Sequence, residues 1–315
     1  MKNLGKILVT GGAGYVGAVL VDKLLSEGYK VKVLDNLMYG QTCHLLFFIN
    51  KNFEFIKGDI RSKKTVKEAL KNVDIVIHLA AIVGAPACRK NPKIAREINI
   101  IGSRNVNQLR SINQPLIYAS TGSNYGKLNE ICTEKSPLNP VSLYGKTKSQ
   151  AEEEIMKRGN AVALRFATGF GVSPRFRYDS LLINDFVYQA CKNKQLIVYE
   201  ADVKRTFIHV QDMARSYLFA LANYKKMKDE VFNVGSEKMN YTKRDIVLKI
   251  KEKIPFFLYF AGIAKDADKR DYEVSYAKIR KIGFEPKIGL DEGIEELIKV
   301  FNNFPFQDSQ AVNIG

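Results

Sequence analysis

The sequence predicts an α/β fold, with a doubly wound parallel sheet and a smaller, discontinuous α/β lobe. Three observations predict it. Short apolar segments alternate with helical periodicity through the first half of the chain. A glycine-rich turn, TGGAGYVG, follows the first apolar segment. Further glycine-rich and polar stretches stand where later apolar segments end, and doubly wound sheets bind ligands at the carboxyl ends of their strands.

The first half of the chain alternates strand and helix in order. The predicted elements are a strand at 6–9, a helix ending at Gly28, strands at 29–36 and 53–60, a helix at 62–72, a strand at 74–81, a helix at 92–113 and a strand at 115–121. Alternation of this kind implies right-handed crossovers between parallel strands.

The alternation loosens in the second half. A buried strand is predicted at 161–171, after which VSPRFRYDS interrupts the pattern. The segments 205–210 and 231–236 are interpreted as a return to the sheet, and short helices complete the chain, including amphipathic DEGIEELIKVFNNF. The predicted division is a sheet domain of residues 1–171 with 205–236, and a second lobe of residues 172–204 with 237–315.

Composition narrows the functional classes. The chain has 49 Lys and Arg against 33 Asp and Glu, a net charge of +16. Because the basic residues are spread along the chain and no nucleic-acid recognition pattern stands out, an anionic small molecule is favoured over nucleic acid. No metal site is predicted, since His78 and His209 show no ligand spacing and are interpreted as packed side chains.

Several features predict a cytoplasmic protein without a membrane span. The cysteines Cys43, Cys88, Cys132 and Cys191 are scattered, which favours reduced thiols over a disulfide framework. The first residues lack the plan of a signal peptide. The apolar run at 254–264 is shorter than the roughly 20 residues that a membrane helix needs.

The glycine-rich turn predicts a dinucleotide site. Gly11, Gly14 and Gly17 are spaced GxxGxxG between the first strand and the first helix. Glycine there permits a tight turn and close approach of a pyrophosphate, which the amides of the helix N-terminus then bind. The alternative is a glycine-rich turn that binds no ligand.

Two acidic residues favour the dinucleotide. Asp35 ends the second strand, where a carboxylate can hydrogen-bond the hydroxyls of the adenosine ribose. A carboxylate at that point repels a 2′-phosphate, so NAD is favoured over NADP. Asp59, in GDIR, ends the third strand within reach of an adenine.

Tyr144 and Lys148 lie one turn apart in the predicted helix that contains LYGKTKSQAEE. Residues at this spacing share a helix face, so the ammonium can stabilise the tyrosine in its phenolate form. Lowering a tyrosine pKa from about 10 to near neutrality takes on the order of 4 kcal/mol. A nearby cation in a water-poor cleft is a plausible source of that energy. The alternative is a solvated helix face with the tyrosine ring packed beneath it. Beside the predicted dinucleotide site and a strand that ends in hydroxyl residues, the pair predicts a general base.

The chain resembles the extended short-chain dehydrogenase/reductases that modify nucleotide sugars, which have a Rossmann fold. The matching stretches, in order, are TGGAGYVG, VLDN, GDIR, HLAA, EINIIGSRNV, YASTGSNYG, LYGKTKSQAEE, LRFATGFG, RTFIHVQDMA and FNVGS. The resemblance implies that the sheet domain binds NAD and the second lobe binds the nucleotide sugar. It also implies that Tyr144 is the base, that Lys148 orients the nicotinamide ribose, and that Thr121 hydrogen-bonds the reacting hydroxyl. Ser120 and Ser123 are the nearby alternatives to Thr121.

The resemblance extends to binding residues. The implied cofactor contacts are Gly11, Gly14, Tyr15, Val16, Gly17, Asp35, Asn36, Asp59, Ile60, Leu79, Ala80, Ala81, Asn99, Tyr144 and Lys148. The implied substrate contacts are Thr121, Thr168, Arg175, Asn184, Arg205 and Arg270. Arg175 and Arg177 either grip a diphosphate or are solvated. Thr168 stands where many members carry asparagine, and the spacing around Arg270 departs from the family pattern.

Departures from the family pattern shape the expected reaction. Gly122 and Ser123 follow Thr121, where 4,6-dehydratases of the family carry an Asp-Glu pair. AAIVGAPAC, FGVSPRFRYD and DADKRDY look most like GDP-heptose 4-dehydrogenases and related 4-epimerases of surface polysaccharide synthesis. The alternatives are a UDP-sugar 4-epimerase and a non-catalytic NAD(H)-binding regulator. A homodimer is expected through the helices near 92–113 and 142–158, whose mix of apolar residues (Ile98, Ile101, Val106 and Leu109) with polar ones suits such an interface.

Overall fold

The computed structural model describes residues 5–126, 130–178, 181–262 and 273–304. The strands are β1 Lys6–Thr10, β2 Lys30–Asp35, β3 Phe53–Lys57, β4 Ile75–His78, β5 Leu116–Thr121, β6 Ala161–Phe166, β7 Thr168–Phe170, β8 Gln195–Tyr199, β9 Lys204–His209, β10 Glu230–Val234, β11 Asn240–Thr242 and β12 Phe257–Ala261. The helices are α1 Tyr15–Ser26, α2 Lys63–Leu70, α3 Ala85–Lys90, α4 Pro92–Arg96, α5 Ser103–Leu109, α6 Leu143–Arg158, α7 Leu182–Tyr188, α8 Val210–Ala222, α9 Tyr224–Met227, α10 Lys243–Lys253, α11 Ala277–Ile282 and α12 Leu290–Asn303.

The central sheet has seven parallel strands in the order β10-β6-β5-β4-β1-β2-β3. The predicted doubly wound parallel sheet is therefore confirmed. β1 and β4 are neighbours in the sheet although β2 and β3 separate them in sequence. Strand order reverses at this point, and such a reversal opens a crevice at the carboxyl ends of the strands.

Helices bury both faces of the central sheet. Ile7 and Val9 of β1 belong to the apolar core that includes residues of α1 and α8. Leu8, between them, belongs to the opposite core, which includes residues of α2, α5 and α6. Adjacent side chains of a strand point to opposite faces, so a strand buried on both faces, such as β1 with Ile7, Leu8 and Val9, has a nearly continuous apolar run.

A third core holds the second lobe together. Phe170, Phe207 and Phe301 are fully buried in it with residues of α7, α10 and α12. This lobe contains a three-stranded sheet, β11-β9-β7, and a two-stranded sheet, β12-β8. Among the described residues of both lobes, no helix is long and apolar enough to cross a membrane.

The structure differs from the predicted elements at three places. The predicted strand 161–171 is two strands, because the chain leaves the central sheet at Ala167 and β7 pairs with β9. β9, which was predicted to return to the central sheet, pairs with β7 and β11, and β10 alone returns. The predicted helix 92–113 is α4, a π-helical turn at Glu97–Gly102 and α5.

Candidate active site

One cavity lies at the crevice formed by the carboxyl ends of the central strands. We call the part lined by Gly11, Gly14, Gly17 and Asp35 the glycine end. We call the part lined by Thr121, Tyr144 and Lys148 the triad end. Motifs that are far apart in the sequence thus meet in a single cavity, as the order of strands and helices predicted.

The glycine turn forms a cradle that side chains would fill. A Cβ atom on Gly11, where φ is +70°, would lie 2.6 Å from the amide nitrogen of Ala80, and one on Gly17 would lie 2.4 Å from the carbonyl oxygen of Gly11. Gly14 caps α1 without a side-chain hydrogen bond, which leaves amides of the first turn for a ligand. This backbone surface fits a dinucleotide pyrophosphate.

Asp35 stands beside this cradle at the end of β2. Its carboxylate accepts hydrogen bonds from the amides of Ala13, at 3.0 Å, and Leu37, at 2.9 Å. Burial raises the pKa of Asp35, because the charged form loses water. The carboxylate thus faces the cavity at the point where the sequence predicted a ribose contact.

Asp59 borders the same end in a different electrostatic setting. Asn36 donates to its carboxylate at 3.3 Å, and Arg61 donates at 2.9 Å while also pairing with Glu97. Burial alone would raise the pKa of Asp59, but the hydrogen bonds from Arg61 outweigh burial and lower it. Of the other predicted cofactor contacts, the residues that line the cavity are Tyr15, Val16, Asn36, Ile60, Leu79, Ala80 and Ala81.

Asn99 is placed differently from the prediction. Its fully buried amide accepts from the nitrogen of Ile82 at 2.8 Å, donates to the oxygen of Ile82 at 3.0 Å, and donates to Thr147 Oγ1 at 3.1 Å. These contacts join the π-helical turn to the loop after β4 and to α6. Asn99 therefore braces the wall of the cavity and lies outside the described residues that line it.

The triad end is assembled by close packing of α6 on the end of β5. Ser142 caps α6 by accepting from the amide of Gly145 at 3.1 Å. A Cβ on Gly145 would lie 2.8 Å from the carbonyl oxygen of Ser123, so glycine permits this approach. The Thr121 hydroxyl accepts from the amide of Ser123 at 3.1 Å. Tyr144 and Lys148 follow in the first turns of the helix, and both line the cavity with Thr121.

Lys148 is buried, with 3% of its surface exposed. Its Nζ lies 4.0 Å from the centroid of the Tyr118 ring, which is the arrangement of a cation–π contact. Burial lowers the pKa of Lys148 to about 7, although the nearby Glu152 carboxylate opposes that shift. The contact of Tyr118 with Lys148 was not predicted from the sequence, where Tyr118 is visible as an aromatic residue on the strand that ends at Thr121.

A buried ion pair lies behind this end of the cavity. The Glu152 carboxylate accepts from Arg165 Nη2 at 2.5 Å, from Ser120 Oγ at 2.5 Å and from Asn124 Nδ2 at 3.3 Å. Arg165 also donates to the hydroxyl of Tyr125 at 3.0 Å. The network ties α6 to β5 and β6. The Glu152–Arg165 network was not predicted from the sequence, although the arginine within the apolar stretch AVALRF was a visible signal.

The predicted substrate contacts are dispersed. Thr168 and Arg175 line the cavity, as does Arg177. Both arginines are buried, at 6% and 3% exposure, which excludes the solvated alternative. Arg205 lies on β9 opposite Tyr241 of β11, outside the described lining residues. Arg270 lies outside the described residues.

Asn184 also differs from its predicted role. Its amide accepts from the nitrogen of Gly171 at 2.9 Å and donates to the oxygens of Gly171, at 3.1 Å, and Arg177, at 2.7 Å. The side chain is fully buried. Asn184 therefore shapes the loop after β7, because its polar atoms face the backbone of that loop.

The two singled-out histidines are packed, as predicted. His78 Nδ1 lies 2.6 Å from Thr10 Oγ1 and its Nε2 lies 2.9 Å from Ser103 Oγ, and burial lowers its pKa to about 3. His209 packs edge-on against Phe170. Among the described residues, no group of three or more His, Cys, Asp or Glu side chains is placed to hold a metal ion.

The parallel sheet, the glycine cradle and the carboxylate at the end of β2 define a Rossmann-type dinucleotide-binding protein. The chain belongs to the NAD-dependent epimerase/dehydratase family, whose family model matches residues 7–235. It is therefore an enzyme, and NAD is its cofactor, as the sequence predicted.

Relatives and solved structures agree with this family. The chain is 31% identical over 313 residues to a protein of Methanocaldococcus jannaschii provisionally named UDP-glucose 4-epimerase, covering 94% of this chain and 98% of the relative. It is 30% identical to UDP-glucuronic acid decarboxylase 1 of Arabidopsis thaliana, covering 95% and 70%. The solved UDP-glucose 4-epimerase of Thermotoga maritima, with UDP-glucose, is 26% identical with a TM-score of 0.83, covering 94% and 98%.

Proposed function

We propose that the enzyme catalyses NAD-dependent hydride transfer at C4 of a nucleotide-linked sugar. One observation carries the proposal: Thr121, Tyr144 and Lys148 line the same cavity as the glycine cradle. A base, a cation and a hydroxyl donor are thereby held beside a dinucleotide site. The names of the relatives, which act on UDP-linked sugars, support a nucleotide sugar as the substrate class.

In this proposal Tyr144 removes the proton from the C4 hydroxyl. Thr121 shares the hydrogen bond of that hydroxyl and fixes its position, and the ammonium of Lys148 favours the phenolate form of Tyr144. NAD supplies the hydride acceptor when it is bound. Because Lys148 is buried, its electrostatic effect on Tyr144 is stronger than it would be in water.

The candidate reactions differ in what happens to the 4-keto sugar. Gly122 and Ser123 follow Thr121, and among the described residues that line the cavity the carboxylates are Asp35 and Asp59, at the glycine end. This distribution disfavours dehydration, which needs an acid and a base beside the sugar. Release of the keto sugar makes the enzyme a 4-dehydrogenase, and return of the hydride to the other face makes it a 4-epimerase.

Two classes of nucleotide sugar are the leading candidate substrates. The resemblance of DADKRDY and FGVSPRFRYD favours a GDP-heptose-like 4-dehydrogenase acting in surface polysaccharide synthesis. The relative at 31% identity favours a UDP-sugar 4-epimerase. A decarboxylase at 30% identity shows that relatives this distant differ in reaction. A non-catalytic regulator is disfavoured because Thr121, Tyr144 and Lys148 are all present.

The test is incubation of the full-length enzyme with GDP-, UDP-, dTDP- and CDP-sugars, with and without added NAD, and identification of products by NMR. A C4 epimer formed without net NADH supports the epimerase. A 4-keto sugar formed with equivalent NADH supports the dehydrogenase. A 4-keto-6-deoxy product would contradict the reading of Gly122 and Ser123, and the absence of any product at C4 would contradict the proposal.

We also propose a homodimer formed through α4, α5 and α6. Ile101 is 47% exposed on this surface, whereas Ile98 and Val106 are buried in the protomer's own core and so add no exposed apolar surface to it. Ile101→Glu is expected to shift sedimentation at micromolar concentration toward monomer, and Ile112→Glu, at a similarly exposed position beyond α5, is the control. A monomeric wild-type protein would contradict the dimer.

A further inference from the structure

Residues 171–178, which follow β7, cross from the second lobe to the glycine end of the cavity. We call this segment the arginine strap. Phe176 and Tyr178 belong to the second-lobe core, where their rings pack against Phe301 at centroid distances of 5.3 and 6.2 Å. Arg175 and Arg177 alternate with them and line the cavity. The core thus anchors the strap through its aromatic residues, while the intervening arginines line the cavity.

The strap is hydrogen-bonded to the glycine turn. The hydroxyl of Tyr15 donates to the oxygen of Gly171 at 2.6 Å, and Ser173 Oγ donates to the oxygen of Tyr15 at 2.6 Å. Tyr15 is the first residue of α1 and part of the glycine turn. The buried amide of Asn184 holds the other side of the strap through Gly171 and Arg177. The strap therefore lies against the helix terminus that fits a pyrophosphate.

The two arginines flank that terminus. The Arg175 guanidinium carbon lies 5.5 Å from the ring centroid of Tyr39, in the loop that follows Asp35. Arg177 Nη2 lies 3.5 Å from the oxygen of Val83, in the loop that follows β4. One arginine thus borders the loop after β2 and the other the loop after β4. β1, which ends at the glycine turn, lies between these two strands in the sheet.

The distribution of charge in the cavity makes Arg175 and Arg177 the candidates for binding a pyrophosphate. The first turn of α1 has no basic side chain. Among the described residues that line the cavity, the cations are Lys148, Arg175 and Arg177. Lys148 is held on the ring of Tyr118 at the triad end. A pyrophosphate in the glycine cradle would bring two negative charges into a buried site, and guanidinium groups pair with phosphate oxygens through bidentate hydrogen bonds.

We propose that Arg175 and Arg177 bind the pyrophosphate of NAD and not the diphosphate of the sugar nucleotide. The strap then covers the dinucleotide, and NAD leaves only when the strap lifts from Tyr15. The inference rests on NAD as the cofactor and holds for either sugar reaction.

The test uses the full-length NAD-loaded enzyme with Arg175→Met or Arg177→Met, which keep much of the apolar stem. Equilibrium dialysis gives the NAD affinity, and competition by adenosine gives the affinity of a fragment without phosphates. Each substitution is expected to weaken NAD binding about 10- to 100-fold, the usual range for a lost charged hydrogen bond. Adenosine affinity should stay within about twofold. Arg244→Met is the matched control, because Arg244 is a half-buried second-lobe arginine, paired with Asp202, that lies outside the described residues lining the cavity.

Two results would overturn the proposal. One is unchanged NAD affinity with weaker binding of UDP, GDP, dTDP or CDP to enzyme saturated with NAD, which would assign the arginines to the substrate. The other is an equal loss for NAD and adenosine, which would indicate a general structural effect. If the Met variants do not fold, Arg175→Lys and Arg177→Lys decide. A several-fold loss of NAD affinity with unchanged adenosine affinity supports the proposal, and unchanged NAD affinity overturns it.

Discussion

At the glycine end of the cavity the buried charge is the carboxylate of Asp35, whereas at the triad end it is the ammonium of Lys148. Burial raises the pKa of Asp35 and lowers the pKa of Lys148 to about 7. At both ends burial therefore opposes the charged form that the proposed function needs. Two backbone amides stabilise the first charge and an aromatic ring the second. Each end of the cavity therefore bears a cost in stability that a bound ligand can offset.

The largest expected effect separates chemistry from cofactor binding. Tyr144→Phe removes the proposed base but keeps the ring, so turnover should fall about 10²- to 10⁴-fold, the usual contribution of a general base. NAD affinity should fall far less than turnover, because the substitution keeps the ring and leaves the glycine cradle and Asp35 intact. Turnover measured by NMR and affinity by equilibrium dialysis give the two readouts.

Tyr118→Phe is the matched control for that substitution. It removes a hydroxyl that lies 3.5 Å from the backbone oxygen of Lys148 and keeps the ring beneath the ammonium. Its turnover should stay near that of the wild type. Unchanged turnover in Tyr144→Phe would refute Tyr144 as the base, and a large loss in Tyr118→Phe would show that any change near Lys148 has the same effect.

The sequence predicted the sheet domain better than the second lobe, and the reason is physical. Local patterns, namely the glycine turn and the one-turn spacing of Tyr144 and Lys148, predicted residues that meet in the structure because parallel strands end at one edge of the sheet. Asn184 and Arg205, which the family resemblance assigned to the substrate, lie outside the described residues that line the cavity, and their surroundings depend on pairing between short, distant strands of the second lobe. Periodicity identified β9 as a strand but contained no information about its neighbours.

The second largest expected effect is on the pH dependence of the free energy of unfolding, and it tests whether the Lys148 ammonium is buried. Lys148 has a folded-state pKa of about 7, below the ordinary value of 10.5. Between those values the unfolded chain binds more protons, so the free energy of unfolding rises with pH in that window. The total rise is on the order of 5 kcal/mol. Lys148→Met should remove this rise and stabilise the protein most below pH 7, as denaturant unfolding from pH 6 to 10 can measure.

Lys146→Met provides the control, since Lys146 is exposed two residues earlier in α6. Its unfolding free energy should follow the pH dependence of the wild type. A wild-type protein whose stability does not rise from pH 7 to 10, relative to Lys148→Met, would contradict a buried and destabilised ammonium.

The smallest effect concerns the glycine end and the choice of cofactor. Asp35→Asn keeps the shape of the side chain but loses a charged hydrogen-bond acceptor, which is worth about 1.5 kcal/mol or more. NAD affinity should fall about 10-fold. NADP affinity should fall less or rise, because the substitution removes the repulsion of its 2′-phosphate. Turnover with saturating NAD should change little, in contrast to Tyr144→Phe.

The pH dependence of stability gives Asp35→Asn a second readout of opposite sign to that of Lys148→Met. Because burial raises the folded-state pKa of Asp35, the wild type loses stability relative to the variant as pH rises through the acid range. Asp59→Asn is the control, since Arg61 lowers the pKa of Asp59 despite its burial, and the wild type should there gain stability relative to the variant as pH rises. An unchanged ratio of NAD to NADP affinity in Asp35→Asn would refute the ribose contact. The glycine end would then select its cofactor through the backbone cradle and the strap alone.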